Sequence, residues 1–194
     1  MKEIFYEESS RIQNEKSASR KYNIFKTLSI ISYVCVVLWI LIFVFPFDFG
    51  QGNLILNLLF LIIPPALFVF SGIVIGKMKN RFYVDYDYTF VTGSLRIAKV
   101  IKNIKRKPVM KFDVTNIERI GKYGSKTYNK YSLMPGVVKM ILTSNVTPTE
   151  GKDFYYIVVN LDGIKKLLIL ECTEMLMVNI LRFTNRGIIE EDFK

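Results

Sequence analysis

The stretch that decides the fold of this chain is a pair of uncharged apolar runs near the N-terminus. The first run is Thr27–Phe47, TLSIISYVCVVLWILIFVFPF, and the second is Phe49–Gly76, whose core is LILNLLFLIIPPALFVFSGIVI. A helix rises about 1.5 Å per residue, so roughly 20 residues cross a hydrocarbon layer about 30 Å thick. We therefore predict an α+β membrane protein with a two-helix transmembrane hairpin at residues 25–78, its spans at 27–47 and 54–75.

The charges that flank the two runs predict the orientation of the hairpin. Basic residues precede the first run and follow the second: Lys16, Arg20, Lys21, Lys26, Lys77, Lys79 and Arg81. The connector Pro46–Asn53 contains neither Lys nor Arg. Because positively charged flanks stay on the cytoplasmic side, we expect a multi-pass protein of the cell membrane with both termini in the cytoplasm. A cleaved signal peptide is disfavoured, since the first run is too long and follows a long polar segment.

Two smaller features belong to the same N-terminal region. Residues 1–24 are polar and of mixed charge, which is compatible with a short cytoplasmic helix at the membrane surface or with a disordered leader. Pro64 and Pro65 remove two backbone donors from the second span and predict a kink there. The second span has few polar side chains, Asn57 and Ser71, and this scarcity favours an anchor over a channel.

The remainder of the chain, residues 79–194, has the alternation of β structure. Arg81–Val91 places aromatic and β-branched residues on one face and polar residues on the other. Further strands are predicted at Leu95–Ile104, Val109–Asp113, Asn116–Ile120, Val137–Thr143, Phe154–Asn160 and Ile164–Glu171. A long loop is expected at Gly121–Pro135, and a final helix at Met175–Phe183, capped by Thr173 and ended by Gly187. The prediction is a seven-stranded antiparallel β-barrel or sandwich capped by a C-terminal α-helix.

This order of elements resembles the pleckstrin-homology (PH) superfold. The stretch Tyr83–Lys107, YVDYDYTFVTGSLRIAKVIKNIKRK, and the opening Glu3–Glu7, EIFYE, resemble an uncharacterised family of small bacterial membrane proteins. Its members have two transmembrane helices followed by a bacterial PH-like domain, which implies a cytoplasmic PH-like domain at residues 79–194. The resemblance implies no catalytic or ligand-binding residue, and fold likeness alone does not establish function.

Two basic surfaces are the candidate contact sites. The formal charge is +10, and residues 80–194 carry 19 Lys and Arg against 12 Asp and Glu, a net +7. The first surface is a predicted basic hairpin: Lys102, Lys105, Arg106 and Lys107. The second is the predicted Tyr–Lys loop: Lys122, Tyr123, Lys126, Tyr128, Lys130 and Tyr131. Either surface suits anionic lipid headgroups or a docking protein, while a solvated strand end and a mobile loop without a ligand are the simpler alternatives.

Catalytic chemistry finds little support in the sequence. The chain has no histidine, the commonest general base and metal ligand, and no metal-spaced ligand set. Asp85 and Asp87 lie on one face of a strand, where cross-strand pairing with Lys99 or Arg96 is the simpler explanation. Cys172 lacks a histidine partner, and a disulfide with Cys35 is excluded by their placement. We expect no enzyme, cofactor, metal site or nucleic-acid binding.

The sequence therefore predicts a membrane-anchored PH-like module that acts by binding. The first hypothesis is recruitment of a protein partner at the inner leaflet. The alternative is a sensor of anionic headgroups or of a small ligand, through the basic hairpin. A subunit of an oligomeric channel or transporter complex is the third, since two helices line a pore only in an oligomer.

Overall fold

The computed structural model describes residues 3–44 and 54–184 of the chain. These residues divide into two compact units. One is helical and comprises residues 14–83, and the other is β-rich and is formed by the residues before 14 together with those from 84 onward. The predicted outer turn at Pro46–Asn53 and the helix stop at Gly187 lie outside the described residues.

The helical unit contains the two apolar runs. Helix α1 spans Glu15–Trp39 and is followed by a π-helical segment, Ile40–Val44, and helix α2 spans Leu54–Met78. Asn14 caps α1 by accepting a hydrogen bond from the Ser17 N–H at 3.0 Å. Both helices are long and apolar enough to cross a membrane, and only 11% and 6% of their most apolar windows are buried. Such exposure is unlike the core helix of a soluble protein.

Small residues bring α1 and α2 together. The Ser29 hydroxyl donates to the Gly72 carbonyl oxygen at 2.8 Å, and the Ser32 hydroxyl donates to the Phe68 carbonyl oxygen at 2.7 Å. A Cβ atom on Gly72 would lie 3.0 Å from the Tyr33 ring, so the glycine permits the close approach. Helix α2 continues through Pro64 and Pro65, and the kink at these residues stays a prediction.

The β-rich unit begins with a four-stranded antiparallel sheet, sheet A, in the order β1-β2-β3-β4. Its strands are Phe5–Ser10, Val84–Val91, Ser94–Ile101 and Lys105–Asp113. The first strand precedes the helical unit in the chain and pairs with β2, from Phe5 opposite Val91 to Ser10 opposite Tyr86. The interpretation of these residues as a surface helix or a disordered leader was therefore wrong. Alternating Tyr, Phe and β-branched residues favour a strand at β2, and β1 completes its hydrogen bonding.

Sheet B has the order β5-β7-β8-β6. Its strands in chain order are β5 Ile117–Lys122, β6 Val138–Ile141, β7 Asp153–Leu161 and β8 Ile164–Cys172. Strands β5, β7 and β8 are antiparallel, but β6 runs parallel to β8. Helix α3, Lys126–Leu133, lies between β5 and β6 in the chain, and helix α4, Glu174–Arg182, follows β8.

The main core is shared by the two sheets and α4. Sheet A contributes alternate residues such as Tyr88 and Phe90, and α4 buries Leu176, Met177 and Ile180 against them. A second cluster covers the other face of sheet B, where α3 packs Tyr128 onto Tyr156. Strands β7 and β8 are therefore buried on both faces, which explains their continuous apolar sequences.

These elements confirm two long apolar helices, a β-rich region and a C-terminal helix, and they correct the predicted strand arrangement. The described residues form eight strands in two sheets that do not close into one seven-stranded barrel, and one strand pair is parallel. The expected loop at Gly121–Pro135 contains the helix α3. Lys105–Pro108, which separate the predicted strands Leu95–Ile104 and Val109–Asp113, are instead the beginning of β4. The turn itself lies at Lys102 and Asn103, which have φ of 51° and 55°.

Candidate functional site

The face of sheet A that is turned away from the core is polar. Tyr86, Tyr88 and Phe90 alternate toward the core, so Asp85 and Asp87 lie on the opposite face. The pairing register places these carboxylates opposite Val100 and Ala98 of β3. Both side chains are nevertheless buried, with 3% and 5% of their surface exposed.

The two aspartates lie in a cleft of about 250 Å³, which we call the outer cleft. Its polar lining residues are Ser9, Arg11, Asp85, Asp87, Asn103 and Arg106, with Val100 beneath them. Oδ1 of Asp85 accepts the Ile12 N–H at 2.8 Å, and Oδ1 of Asp87 accepts the Ser9 hydroxyl at 2.7 Å. Strand β1 and the residues after it therefore complete one wall of the outer cleft.

Arg106 is the cationic neighbour of Asp87. Its Nε lies 3.1 Å from Oδ2 of Asp87, and its Nη1 lies 3.7 Å from Oε1 of Glu7. The guanidinium reaches across β3 from the edge strand β4, and its side chain is 68% exposed. The prediction that Lys99 or Arg96 pairs with these aspartates was wrong for Asp87, because the register puts Lys99 opposite Tyr86 and Arg96 opposite Thr89.

The other residues of the predicted basic hairpin form a different surface. Lys99 of β3 is directly opposite Lys107 of β4, and Lys105 follows on the same face two residues away. We call these three residues the lysine face. Like charges directly opposite one another in a ladder destabilise it, and an anion placed between them would relieve the repulsion. Lys102 lies in the adjoining turn. Of the four residues of the predicted basic hairpin, Arg106 is the one that lines the outer cleft.

The predicted Tyr–Lys loop is divided by helix α3. Tyr128 is buried, its ring centroid 4.6 Å from that of Tyr123, and Lys139 Nζ lies 5.4 Å from its ring centre. Tyr131 is partly buried against the same cluster. The residues on the exposed side are Lys122, Tyr123, Lys126 and Lys130. The Ser125 hydroxyl caps the helix by accepting the Tyr128 N–H at 3.1 Å, a helix-start signal that is visible in the sequence.

Strand β6 is an edge of sheet B with exposed apolar side chains. Leu133 and Met134, at the end of α3, are 85% and 42% exposed, and Val138 and Ile141 of β6 are 48% and 59% exposed. We call these four residues the edge strip. Edge strands are normally protected by charge or proline, as β4 is by its lysines and Pro108. Strand β6 contains one lysine, Lys139, and the four residues of the edge strip are apolar.

A buried glutamate holds the N-terminal strand and the loop before β7 together. Glu171 is fully buried in β8, and its Oε2 accepts Ser10 Oγ at 2.7 Å, Thr143 Oγ1 at 2.6 Å and Asn145 Nδ2 at 2.7 Å. Its Oε1 accepts the Thr149 N–H at 2.9 Å and the Thr149 hydroxyl at 2.7 Å. Burial by itself raises the pKa of Glu171, but these hydrogen bonds outweigh it and lower the pKa.

Glu8 of β1 is a second buried carboxylate with a full set of partners. It accepts the Thr173 N–H at 2.9 Å and the Thr173 hydroxyl at 2.8 Å, and Lys152 Nζ lies 3.1 Å away. Neither glutamate was identified from the sequence. The signal for Glu171 was its position inside the apolar run of β8, and Glu8 had no comparable signal.

The thiol of Cys172 is fully buried, and burial raises its pKa well above its ordinary value, which keeps it protonated. Within residues 3–44 and 54–184, no three His, Cys, Asp or Glu side chains gather as a metal-binding group.

The sequence matches the family described as "Bacterial PH-like domain (DUF6106)" over residues 10–190. No curated protein and no solved structure gives a significant match. The matched region includes both apolar helices and nearly all of the β-rich unit, which agrees with the resemblance of Tyr83–Lys107 to bacterial PH-like membrane proteins. The chain is therefore a member of the bacterial PH-like domain family.

Proposed function

We propose that this protein is a non-enzymatic, membrane-anchored binding module that recruits a protein partner at the inner leaflet. The two apolar helices are the anchor, with both termini in the cytoplasm. The edge strip is the contact surface, and its four exposed apolar side chains beside a sheet edge are the observation that carries the proposal.

An edge strand presents backbone N–H and C=O groups to a further strand, and flanking apolar side chains add contact area. Val138 and Ile141 point to opposite faces of the strand because their spacing is odd, so an added segment is in reach of both. The partner expected here is an extended segment with apolar side chains.

The experiment is site-specific photo-crosslinking in the full-length protein in cell membranes. A photoreactive residue at Ile141 should give one discrete protein adduct, and the same residue at Lys111 on the charged β4 edge should not. A second substitution, Val138→Lys, should remove the Ile141 adduct. The proposal fails if Ile141 gives no adduct or if both edges give the same adducts.

The lysine face supports a second candidate function, the sensing of anionic headgroups. Three lysines lie on one face of sheet A, and each Lys near an anionic surface contributes about 1 kcal/mol of attraction. Arg106, which the predicted basic hairpin included, is not part of this surface, because it lies on the opposite face of β4 and pairs with Asp87.

The lysine face is testable with the full-length protein in lipid nanodiscs. A dye attached to Ile104→Cys, an exposed position in the adjoining turn, would be quenched by spin-labelled lipids that gather at the lysine face. Anionic spin-labelled lipid should quench more than neutral lipid, and the excess should shrink with salt. Replacing Lys99, Lys105 and Lys107 by Gln should abolish the excess, whereas replacing Lys122, Lys126 and Lys130 should not. Equal quenching by both lipids would exclude headgroup sensing at this face.

A further inference from the structure

The outer cleft contains a buried acceptor that its neighbours leave without a hydrogen bond. Oδ2 of Asp87 is buried, and among the described residues no donor makes a hydrogen bond to it. Nε of Arg106 lies 3.1 Å from this oxygen and forms an ion pair with it. The Arg106 side chain is exposed and also lies near Glu7. The ion pair with Arg106 gives this oxygen no well-aligned hydrogen bond, and a carboxylate oxygen has two lone pairs, so it can accept from an incoming donor.

The charge of the cleft defines the chemistry of that donor. Two carboxylates, Asp85 and Asp87, line it together with two guanidinium groups, Arg11 and Arg106. The buried carboxylates would repel a purely anionic ligand, and the arginines would repel a bare divalent cation. A ligand that carries a positive and a negative group is complementary to both pairs.

We propose that the outer cleft binds a phosphoethanolamine group, with its primary ammonium on Asp87 and its phosphate on Arg11 and Arg106. A primary ammonium has three N–H donors for carboxylate oxygens, which a quaternary ammonium lacks. Arginine binds phosphate through two parallel N–H donors. The exposed Arg106 side chain exchanges its contact with Asp87 for the phosphate when the ligand enters.

The cleft, of about 250 Å³, has room for more than one water molecule and therefore for a small polar ligand. The cleft residues are also close in the chain to both apolar helices, since Arg11 lies four residues before α1 and Asp85 four residues after the 3-10 turn that ends at Arg81. The headgroup of a membrane lipid and the free compound are therefore both sources of the ligand.

This inference is independent of the proposed edge strip and lysine face. The edge strip belongs to sheet B, and the lysine face lies on the other side of sheet A from Asp85 and Asp87. Failure of either proposed function leaves the outer cleft unaffected.

The test uses the full-length protein in nanodiscs of phosphatidylcholine, with binding of soluble phosphoethanolamine measured by calorimetry. Phosphocholine, ethanolamine and inorganic phosphate are the comparison probes. Asp87→Asn should weaken phosphoethanolamine about 10- to 100-fold, because a charge-assisted hydrogen bond is lost. Arg11→Gln, at an exposed position, should weaken binding without affecting the fold, and Lys130→Gln, at an exposed position on α3, is the matched control.

Each outcome decides the proposal. Phosphoethanolamine binding that exceeds phosphocholine binding at least tenfold and is weakened by Asp87→Asn supports it. The Arg11→Gln result supplies the same decision if Asp87→Asn lowers the stability of the fold. No binding of phosphoethanolamine, or equal binding of inorganic phosphate, overturns it. Nanodiscs that also contain phosphatidylethanolamine separate the two sources: loss of soluble binding there identifies the lipid headgroup, and unchanged binding identifies the free compound.

Discussion

Replacing Glu171 by Gln is the sharpest test of how the β-rich unit is held together. The side chain is fully buried and accepts five hydrogen bonds of 2.6 to 2.9 Å. Glutamine has the same shape but one oxygen and one NH₂ group. Whichever way it is oriented, the NH₂ group faces a donor that cannot accept, either Asn145 Nδ2 or the Thr149 N–H.

The magnitude follows from these contacts. A buried donor left without a partner costs about 1–3 kcal/mol, and a hydrogen bond to a charged group exceeds a neutral one by about 1 kcal/mol. The hydroxyls of Ser10, Thr143 and Thr149 can reorient, and removing a buried charge offsets part of the loss. We expect Glu171→Gln to lower the free energy of unfolding by about 3 kcal/mol.

Pulse proteolysis of the full-length protein in mild detergent across a urea series measures this effect. With a slope of about 2 kcal/mol per molar urea, a loss of about 3 kcal/mol lowers the unfolding midpoint by roughly 1.5 M. Glu150→Gln, the same change at an exposed position, is the matched control and should leave the midpoint unchanged. A midpoint that hardly moves for Glu171→Gln, or moves equally for both variants, would refute the reasoning.

The same variant predicts a dependence on pH. The hydrogen bonds lower the pKa of Glu171 in the folded protein below the ordinary value of 4.5. A carboxyl group whose pKa is lower in the folded state stabilises the fold at pH values above its pKa in the unfolded state. That stabilisation is lost as the pH falls through the pKa of the folded state. The difference in free energy of unfolding between wild type and Glu171→Gln should therefore be constant from neutral pH to about pH 5 and narrow below 4.5. A difference that stays constant into that acidic range would contradict the assignment.

Three further predictions concern packing. Tyr128→Ala should lower the urea midpoint by the equivalent of about 3 kcal/mol because a buried ring is removed. Lys130→Ala, on the exposed side of α3, should leave the midpoint unchanged, and equal midpoints for the two variants would place Tyr128 outside the core. Deleting residues 1–10 removes β1 and with it Glu8, Ser9 and Ser10, which contact Lys152, Asp87 and Glu171. Proteolysis of the β-rich unit should then lose its sharp urea transition, and a retained transition would show that the fold does not need β1. Gly72→Leu should separate α1 from α2 at Tyr33 and shift the fluorescence of Trp39, the single tryptophan, whose ring lies 5.1 Å from that of Phe60. Ala66→Leu, at an exposed position of the same helix, should leave the emission unchanged, and an unchanged emission for Gly72→Leu would argue against the close approach.

Part of the candidate site was visible in the sequence. The basic residues near Lys105 and the paired aspartates were recognised from the sequence. The ion pair between Arg106 and Asp87 was missed, because Arg106 reaches Asp87 across an intervening strand. A pairing across two strands depends on register, and register depends on where β4 begins. The bulge between Ile97 and Ala98 shifts that register further. Tyr128 was expected on a surface loop, and the Ser125 cap that starts α3 was overlooked.

The sequence by itself determined the two apolar helices, the β character of the rest and the C-terminal helix. These properties follow from hydrophobicity and periodicity over neighbouring residues, which need no knowledge of distant contacts. Only the tertiary structure decided that Phe5–Ser10 joins a sheet 74 or more residues further along the chain, that β6 runs parallel to β8, and that Glu171 is buried. Each of these depends on partners far away in sequence, whose hydrogen bonds outweigh the local preference of a polar N-terminal segment or a charged side chain for water.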